Sequence, residues 1–106
     1  MPKFLVRASY TQAGISGVLR EGGSSRVKAI QTLVGSAGGA VESIYWALGE
    51  DDFFMIAELP DNTAAAAIAA TVAATGTAKV TTTPLLTADE VDAISHRTIE
   101  YRAPGT

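Results

Sequence analysis

The sequence predicts an α+β domain in which strands and helical segments follow the order β-α-β-β-α-β, with a short helix after the last strand. Two patterns carry this prediction: short runs rich in β-forming residues, and longer segments with apolar residues at helical spacing. The length is a third observation, because 106 residues leave room for one domain only. The order is that of a ferredoxin-like sandwich, with two helices on one face of a four-stranded antiparallel sheet.

Four segments have the composition of strands. The first is Lys3–Tyr10, and the next two, Ala40–Leu48 and Asp52–Leu59, flank the turn at Gly49 and therefore predict a hairpin. The fourth runs from Ala78 to Leu86. Its proline cannot donate a hydrogen bond to a neighbouring strand, which favours a position at the edge of the sheet.

The helical segments are marked by their ends. Thr11 is a candidate N-cap for a helix that breaks at Gly22-Gly23, resumes at Ser24 or Ser25 and ends at Gly38-Gly39. A run of small residues, AAAAIAATVAA, follows cap candidates at Asp61, Asn62 and Thr63 and reaches Gly76. Thr87 with Glu90 has the form of a capping box for a short helix through His96. We expect one domain over residues 1–96 and a tail at 97–106 that is loose or adds a strand.

The strands predict that both faces of the sheet are apolar. Alternation along the third strand directs Phe53, Met55, Ala57 and Leu59 to one side and Phe54 and Ile56 to the other. In the second strand, alternation directs Ile44, Trp46 and Leu48 to one face of the sheet and Val41, Tyr45 and Ala47 to the other. Helices of the same chain cover only one face, and an exposed apolar patch marks an interface. We therefore expect a homodimer, or a higher homo-oligomer, in which two sheets face each other as a dimeric α/β barrel.

Composition excludes several classes of function. A net charge of -3 disfavours nucleic acid as a partner, and the absence of cysteine excludes disulfides, thiolate metal sites and cysteine nucleophiles. The single His96 excludes any site that needs several imidazoles from one chain. Neither a signal peptide nor an apolar run of membrane-spanning length is visible, so a cytoplasmic location is expected. We expect no metal and no cofactor.

Several separated segments together resemble the GYD domain family. They are MPKFLVRASYT, REGGSSRVKAI, SIYWALGEDD, ELPDN and TTTPLLTADEVDA, which span Met1 to Ala93. The Gly-x-Tyr-Asp motif that names this family aligns with Gly49 to Asp52, where Asp51 stands in place of the tyrosine and Gly49 and Asp52 are kept. The resemblance implies a ferredoxin-like fold that pairs as a dimeric α/β barrel. It implies no particular activity, because the family is uncharacterised.

The sequence offers three candidate sites. Arg7 and Glu58 can share one face of the sheet, as an ion pair that fixes register or as the polar end of a ligand cavity. The ligand residues expected for that cavity are Arg7, Ser9, Tyr45, Trp46, Glu58 and Lys79. A weaker anion site is expected at the start of the second helical segment, at Gly23, Ser24, Ser25 and Arg26. The alternative there is an ordinary helix start capped by a serine.

The third candidate is the hairpin tip at Gly49 to Asp52. It is interpreted as a turn with Gly49 at positive φ and an aspartate bonded to its own backbone, or as a contact made by the carboxylates of Glu50, Asp51 and Asp52.

Three functions stay open at this stage. The first is a small ligand-binding or regulatory homodimer with a cavity between sheet and helices. The second is a cofactor-free isomerase or oxygenase acting on a small apolar acid, which requires Glu58, Tyr45 or His96 to line a pocket. The third is a structural or partner-binding module. The sequence favours binding over catalysis.

Overall fold

A computed structural model describes all 106 residues of the chain. It has four strands and four helices in the predicted order. Their bounds are β1 Lys3–Tyr10, α1 Gln12–Glu21, α2 Gly23–Ser36, β2 Ala40–Trp46, β3 Phe53–Glu58, α3 Asn62–Ala74, β4 Ala78–Leu85 and α4 Ala88–Ser95. The prediction of an α+β, ferredoxin-like architecture is confirmed.

The four strands form one open antiparallel sheet in the order β2-β3-β1-β4. β1 lies between β3 and β4, with Lys3 opposite Glu58 on one side and Leu85 on the other. β4, which contains Pro84, is an edge strand as predicted. The crossover through α1 and α2 therefore skips one position in the sheet, and β3 fills it.

The core lies between one face of this sheet and the helices α2 and α3. β1 contributes Phe4, Val6 and Ala8, and β3 contributes Phe53, Met55 and Ala57. Ile30 and Val34 of α2 and Ala65 and Ile68 of α3 pack onto them. Only 13 of the 106 residues are buried, so this core is thin for a chain of this length.

The helix boundaries follow from local hydrogen bonds. Thr11 and Asp61 cap α1 and α3, as expected, by accepting the backbone N–H groups of Gly14 and Ala64. The predicted break occurs at Gly22, whose φ of 88° suits glycine alone. The expected start of α2 at Ser24 or Ser25 is wrong, because α2 begins at Gly23 with Gly22 as its N-cap and no side-chain cap.

A β-bulge in β2 corrects the face assigned to Val41. The register with β3 shifts between Val41 and Ser43, so two residues of β2 are accommodated where regular pairing has one. Val41 therefore packs against the core on the same side as Ile44 and Trp46. Tyr45 stays on the opposite face, as predicted, and the structure pairs it with Phe54.

The face of the sheet away from the helices is here called the open face. Leu5 pairs with Ile56, and Arg7 pairs with Phe54, so these apolar side chains adjoin one another across β1 and β3. Phe54 and Ile56 are only half-buried, and Tyr45 is 70% exposed. The open face therefore has an apolar centre that no helix of the chain covers, as the alternation in β3 predicts.

The last helix stands apart from this sandwich. Every residue from Leu86 to Thr106 is exposed, including all of α4. The predicted capping box is present, since Thr87 Oγ1 accepts the N–H of Glu90 and the Glu90 carboxylate accepts the N–H of Thr87. Residues 97–106 form no strand. No helix has both the length and the apolar composition needed to cross a bilayer.

Candidate functional site

The largest recess in the chain lies where α1 and α2 meet the end of β1, and it is called the polar cleft here. It has a volume of about 250 Å³. Small residues of α1 form one wall, and two guanidinium groups and a phenol ring project toward it. Its lining residues are Tyr10, Ala13, Gly14, Gly17, Val18, Arg20, Glu21, Arg26 and Thr77.

The two arginines reach the polar cleft because the helix breaks. In one continuous helix, positions 20 and 26 would lie about 9 Å apart along the axis and roughly 120° apart around it. The turn at Gly22, with φ 88° and ψ 159°, changes the direction of the chain between them. Arg20 at the end of α1 and Arg26 in the first turns of α2 then line the same recess.

The two guanidinium groups differ in their partners. Arg26 Nη1 lies 3.6 Å from a carboxylate oxygen of Glu21, and the other oxygen of Glu21 accepts a hydrogen bond of 2.9 Å from Ser25 Oγ. Arg20 makes no ion pair and no hydrogen bond, and its terminal nitrogen lies above Gly17. Arg20 is therefore the charge in the polar cleft that is available to an anion.

Tyr10 lines the polar cleft at the end of β1. Its hydroxyl oxygen accepts a hydrogen bond of 3.1 Å from the indole Nε1 of Trp46. The indole is held in turn by an edge-to-face contact with Phe53, with ring centroids 5.6 Å apart. Because the oxygen of Tyr10 is already an acceptor, its own proton can be donated to a bound group.

A second, smaller space adjoins the polar cleft between the sheet and the helices α2 and α3, and is called the apolar cavity. Its volume is about 80 Å³, and 11 of its 13 lining residues are hydrophobic, among them Ile30, Phe53 and Val72. Tyr10, Arg26 and Thr77 line both spaces. The apolar cavity therefore meets the polar cleft at a charged and hydroxyl-bearing rim.

The ligand residues expected from the sequence are only partly brought together. Arg7, Ser9 and Lys79 line a shallow depression of about 220 Å³ on the open face, with Glu50, Asp51 and Thr81. Trp46 lies on the helix side of the sheet, beneath Tyr10. Tyr45 is on the open face but does not line this depression.

Arg7 and Glu58 share the open face but do not pair. In the register of β1 and β3, Arg7 lies opposite Phe54 and Glu58 lies opposite Lys3, which separates them by about 13 Å along the strands. Arg7 Nη1 instead contacts Asp51 Oδ2 at 3.3 Å. Lys3 binds Glu42 at 3.1 Å and Glu58 at 3.4 Å, and the hydrogen bond to Glu42 raises the pKa of Lys3 above its ordinary value of 10.5.

The hairpin tip is fixed to the end of β1 rather than to its own turn. Asp52 Oδ2 accepts the backbone N–H of Tyr10 at 2.9 Å, and the N–H of Asp52 donates to the carbonyl of Ala8 at 2.8 Å. Ser9 Oγ donates to the carbonyl of Glu50. Gly49 has the expected positive φ, of 158°. The carboxylates of Asp51 and Asp52, however, contact residues of β1 instead of the backbone of their own turn.

Of the four residues expected for the weaker anion site, only Arg26 lines the polar cleft. Gly23, Ser24 and Ser25 do not line the polar cleft, and Ser25 is occupied by Glu21. His96 and the tail are exposed and outside the cavities described above. No group of three or more histidine, aspartate or glutamate side chains is placed to hold a metal ion.

Comparison with known proteins gives one match. The model of the GYD domain family matches residues 4–95, which is most of the chain. The chain belongs to the GYD domain family. Curated proteins and solved structures yield no match. The resemblance expected from the separated sequence segments is thus confirmed. Asp51, which the resemblance aligns with the tyrosine of the motif, contacts Arg7.

Sequence reasoning missed Tyr10 and Arg20 as members of the site. In the sequence, Tyr10 is the last residue of a predicted strand, and Arg20 is a solvated residue near the end of a predicted helix. The signal that could have found Arg20 is the paired glycines at 22 and 23, because a break there brings the end of one helix beside the start of the next.

Proposed function

We propose that this GYD domain binds a short apolar acid, with the acid group in the polar cleft and the hydrocarbon part in the apolar cavity. The observation that carries the proposal is the shared rim of Tyr10, Arg26 and Thr77 between a charged recess and a hydrophobic one. Most small-molecule sites combine an apolar lining with a few polar groups that fix orientation. In this proposal, the cavity expected between the sheet and the helices has a charged entrance, which the polar cleft forms.

The chemistry of the entrance selects an anion. Arg20 has no partner of its own, and a guanidinium group donates two parallel hydrogen bonds to a carboxylate. The Tyr10 hydroxyl supplies a further donor. Glu21 neutralises part of the charge of Arg26, which favours a singly charged group over a phosphate.

The size of the apolar cavity limits the hydrocarbon part. A cavity of about 150 Å³ lined by aliphatic and aromatic side chains holds a benzene molecule. The apolar cavity has about half that volume, so it accommodates a few methylene groups. The ligand class is therefore a short-chain carboxylic acid rather than a fatty acid.

Nothing in the site favours the enzyme alternative. That interpretation requires Glu58, Tyr45 or His96 to line a pocket, and none of the three lines the polar cleft or the apolar cavity. Glu58 is held by Lys3, and Tyr45 and His96 are exposed. A binding role agrees with the arrangement of the residues that do line the two spaces.

Calorimetric titration with propionate, butyrate and pentanoate, each compared with the corresponding alcohol, tests this proposal. We expect the acids to bind and the alcohols to bind at least tenfold more weakly. Arg20→Gln weakens the binding of the acids about 10- to 100-fold, since a hydrogen bond to a charged group contributes about 1.5–3 kcal/mol. Gly17→Leu, which fills the polar cleft without changing its charge, abolishes binding.

Lys79→Gln is the matched control, because it removes a cation from the depression on the open face and leaves the polar cleft intact. We expect it to bind the acids like the unaltered protein. If Lys79→Gln abolishes binding and Arg20→Gln does not, the ligand site is on the open face. Absence of binding by all three acids at millimolar concentration contradicts the proposal.

The same domain is proposed to work as a homodimer that covers the open face. The support is the apolar centre formed by Leu5, Phe54 and Ile56, together with a core of only 12 buried hydrophobic residues. Two sheets whose open faces are turned toward each other bury this surface in a two-fold arrangement. Sedimentation at micromolar concentration is expected to give about twice the chain mass, and a monomer contradicts this part of the proposal.

A further inference from the structure

The polar cleft is larger than the acid group of the proposed ligand requires. Its volume is about 250 Å³, whereas that of the apolar cavity is about 80 Å³. One water molecule occupies about 30 Å³ in the liquid, so a bound carboxylate leaves much of the polar cleft to other polar atoms. The polar part of the ligand can therefore include a substituent besides the acid group.

Glu21 gives the polar cleft a free acceptor beside the free donor that Arg20 provides. Glu21 Oε1 accepts a hydrogen bond of 2.9 Å from Ser25 Oγ. Glu21 Oε2 lies 3.6 Å from Arg26 Nη1, which is an ion-pair contact but is longer than a hydrogen bond. Oε2 therefore keeps its capacity to accept a hydrogen bond from a ligand.

This free oxygen lies beside the rim that joins the two spaces. Arg26, to which Oε2 is 3.6 Å distant, lines both the polar cleft and the apolar cavity. In a short acid that places its acid group in the cleft and its hydrocarbon part in the cavity, carbon 2 joins the two parts and lies at the rim. A substituent on carbon 2 is thus the one that meets Glu21.

The acceptor determines which substituent suits that position. A methylene group there takes water away from Oε2 without replacing its hydrogen bond, and a carbonyl oxygen brings two acceptors together. A hydroxyl group donates to Oε2. An ammonium group also donates, but the cleft holds two guanidinium groups and one carboxylate, a net charge of +1, which a singly charged hydroxy acid neutralises and a zwitterion does not.

We propose that the ligand of this site is a short 2-hydroxy acid, and that Glu21 determines this specificity by accepting the hydrogen bond of the hydroxyl group. The inference rests on the proposed function and names the chemical class of its ligand. Arg20 binds the carboxylate, and the hydrocarbon part occupies the apolar cavity. A site that bonds a ligand hydroxyl rejects the analogue without it, because the partner in the protein is then left unpaired.

Calorimetric titration with acids of one carbon skeleton tests the preference. The ligands are butyrate, the two enantiomers of 2-hydroxybutyrate, 2-oxobutyrate and 2-aminobutyrate. We expect one enantiomer of 2-hydroxybutyrate to bind about tenfold more tightly than butyrate, as one hydrogen bond to a charged group predicts. The other enantiomer directs its hydroxyl away from Glu21, so we expect it to bind more weakly than the first, as do the oxo and amino acids.

The position of the hydroxyl group is tested with 3-hydroxybutyrate. Its hydroxyl lies one carbon further along the chain, beyond the rim, where the lining of the apolar cavity is mostly hydrophobic. A polar group in such surroundings loses its water without gaining a partner. We expect 3-hydroxybutyrate to bind more weakly than butyrate, and tighter binding contradicts the placement of carbon 2 beside Glu21.

Glu21→Met tests the role of the acceptor, since it keeps an unbranched side chain and removes Oε2. It frees Arg26 for every ligand alike, so the ratio of the dissociation constants of butyrate and 2-hydroxybutyrate isolates the hydroxyl contact. We expect this ratio to fall to about 1 in Glu21→Met and to be intermediate in Glu21→Gln, which keeps a neutral acceptor. Glu50→Met, at the depression on the open face, is the matched control and is expected to leave the ratio unchanged.

The outcomes separate this inference from the proposed function. Equal binding of butyrate and both 2-hydroxybutyrate enantiomers, or a ratio that Glu21→Met leaves unchanged, overturns the inference and leaves the binding of short acids standing. Tighter binding of 2-oxobutyrate or 2-aminobutyrate than of either hydroxy acid has the same consequence. Absence of binding by all of these acids at millimolar concentration overturns both.

Discussion

Gly14 is the position where one added methyl group is expected to disturb the candidate site most. A Cβ built on Gly14 overlaps the backbone carbonyl of Thr77, and Thr77 lines both spaces of the proposed site. The same carbonyl accepts the N–H of Thr11 at 2.9 Å, so α1 cannot move away without losing that bond. The atoms that the added Cβ would overlap belong to the backbone of Thr77, which cannot rotate aside as a flexible side chain can.

We expect Gly14→Ala to lower the free energy of unfolding by about 1–3 kcal/mol, as overpacking of a tight contact does. Gly35→Ala is the control within a neighbouring helix, because nothing lies within 4 Å of its Cβ position. We expect Gly35→Ala to raise the free energy of unfolding by up to about 1 kcal/mol, because alanine has a higher helix propensity than glycine. Urea denaturation measures the change in the free energy of unfolding for both substitutions. If the two changes have the same sign, the packing described for α1 is contradicted.

Asp52 is the motif residue with the clearest structural role. Its carboxylate accepts the N–H of Tyr10, a residue that lines the polar cleft. Asp52→Ala leaves that part-buried N–H without a partner, and we expect it to reduce the free energy of unfolding by about 1–3 kcal/mol. Asp52→Asn keeps a hydrogen-bond acceptor, and we expect it to reduce the free energy of unfolding by less than Asp52→Ala does.

Glu50→Ala is the corresponding control at the same hairpin tip. The Glu50 carboxylate makes no hydrogen bond or ion pair, and only its backbone carbonyl is used. Its stability is expected to stay within about 0.5 kcal/mol of the unaltered protein in the same denaturation measurement. If Glu50→Ala and Asp52→Ala are equally destabilising, the contact between Asp52 and Tyr10 does not explain the role of the motif.

At the scale of elements, the strands and helices were predictable where their signals are local. The caps at Thr11 and Asp61, the capping box at Thr87 and the edge position of the strand with Pro84 follow from residues within one turn or one strand. The side chains of Phe54 and Ile56 lie on the open face because alternation along a regular strand fixes their direction.

The elements that were placed incorrectly depend on non-local geometry. The bulge in β2 exists in the pairing with β3, so the sequence of β2 alone could not show that Val41 turns toward the core. The N-terminus of α2 depends on the φ of Gly22, which lets the helix begin one or two residues earlier than a serine cap would.

The candidate site was harder to predict than the fold, because its members come from different elements. Tyr10 ends β1, Arg20 belongs to α1 and Arg26 to α2, and Thr77 precedes β4. Their meeting depends on the direction of the chain after Gly22 and on the close approach of Gly14 to Thr77. The expected pairing of Arg7 with Glu58 failed for a similar reason, since the register of β1 and β3 places them at different ends.

At the scale of the whole molecule, the small number of buried residues and the uncovered open face have the same consequence. A chain that buries 13 of 106 residues gains limited stability from its own core. If association with a second copy supplies the remainder, folding and association are linked, and the stability measured depends on protein concentration. A monomeric domain shows no such dependence.

Thermal unfolding over a hundredfold range of protein concentration measures this linkage. Dilution by that factor lowers the stability of a dimer by about 2.7 kcal/mol. For a folding unit of two such chains this corresponds to a decrease in Tm of roughly 5–10 °C. Phe54→Ser removes an apolar side chain from the centre of the open face, and we expect its Tm to be lower and independent of concentration. Leu19→Ser, on the exposed side of α1, is expected to keep the concentration dependence of the unaltered protein. A Tm that stays constant for the unaltered chain over the whole range means that the thin core is sufficient by itself, and that the open face is not buried by a second copy.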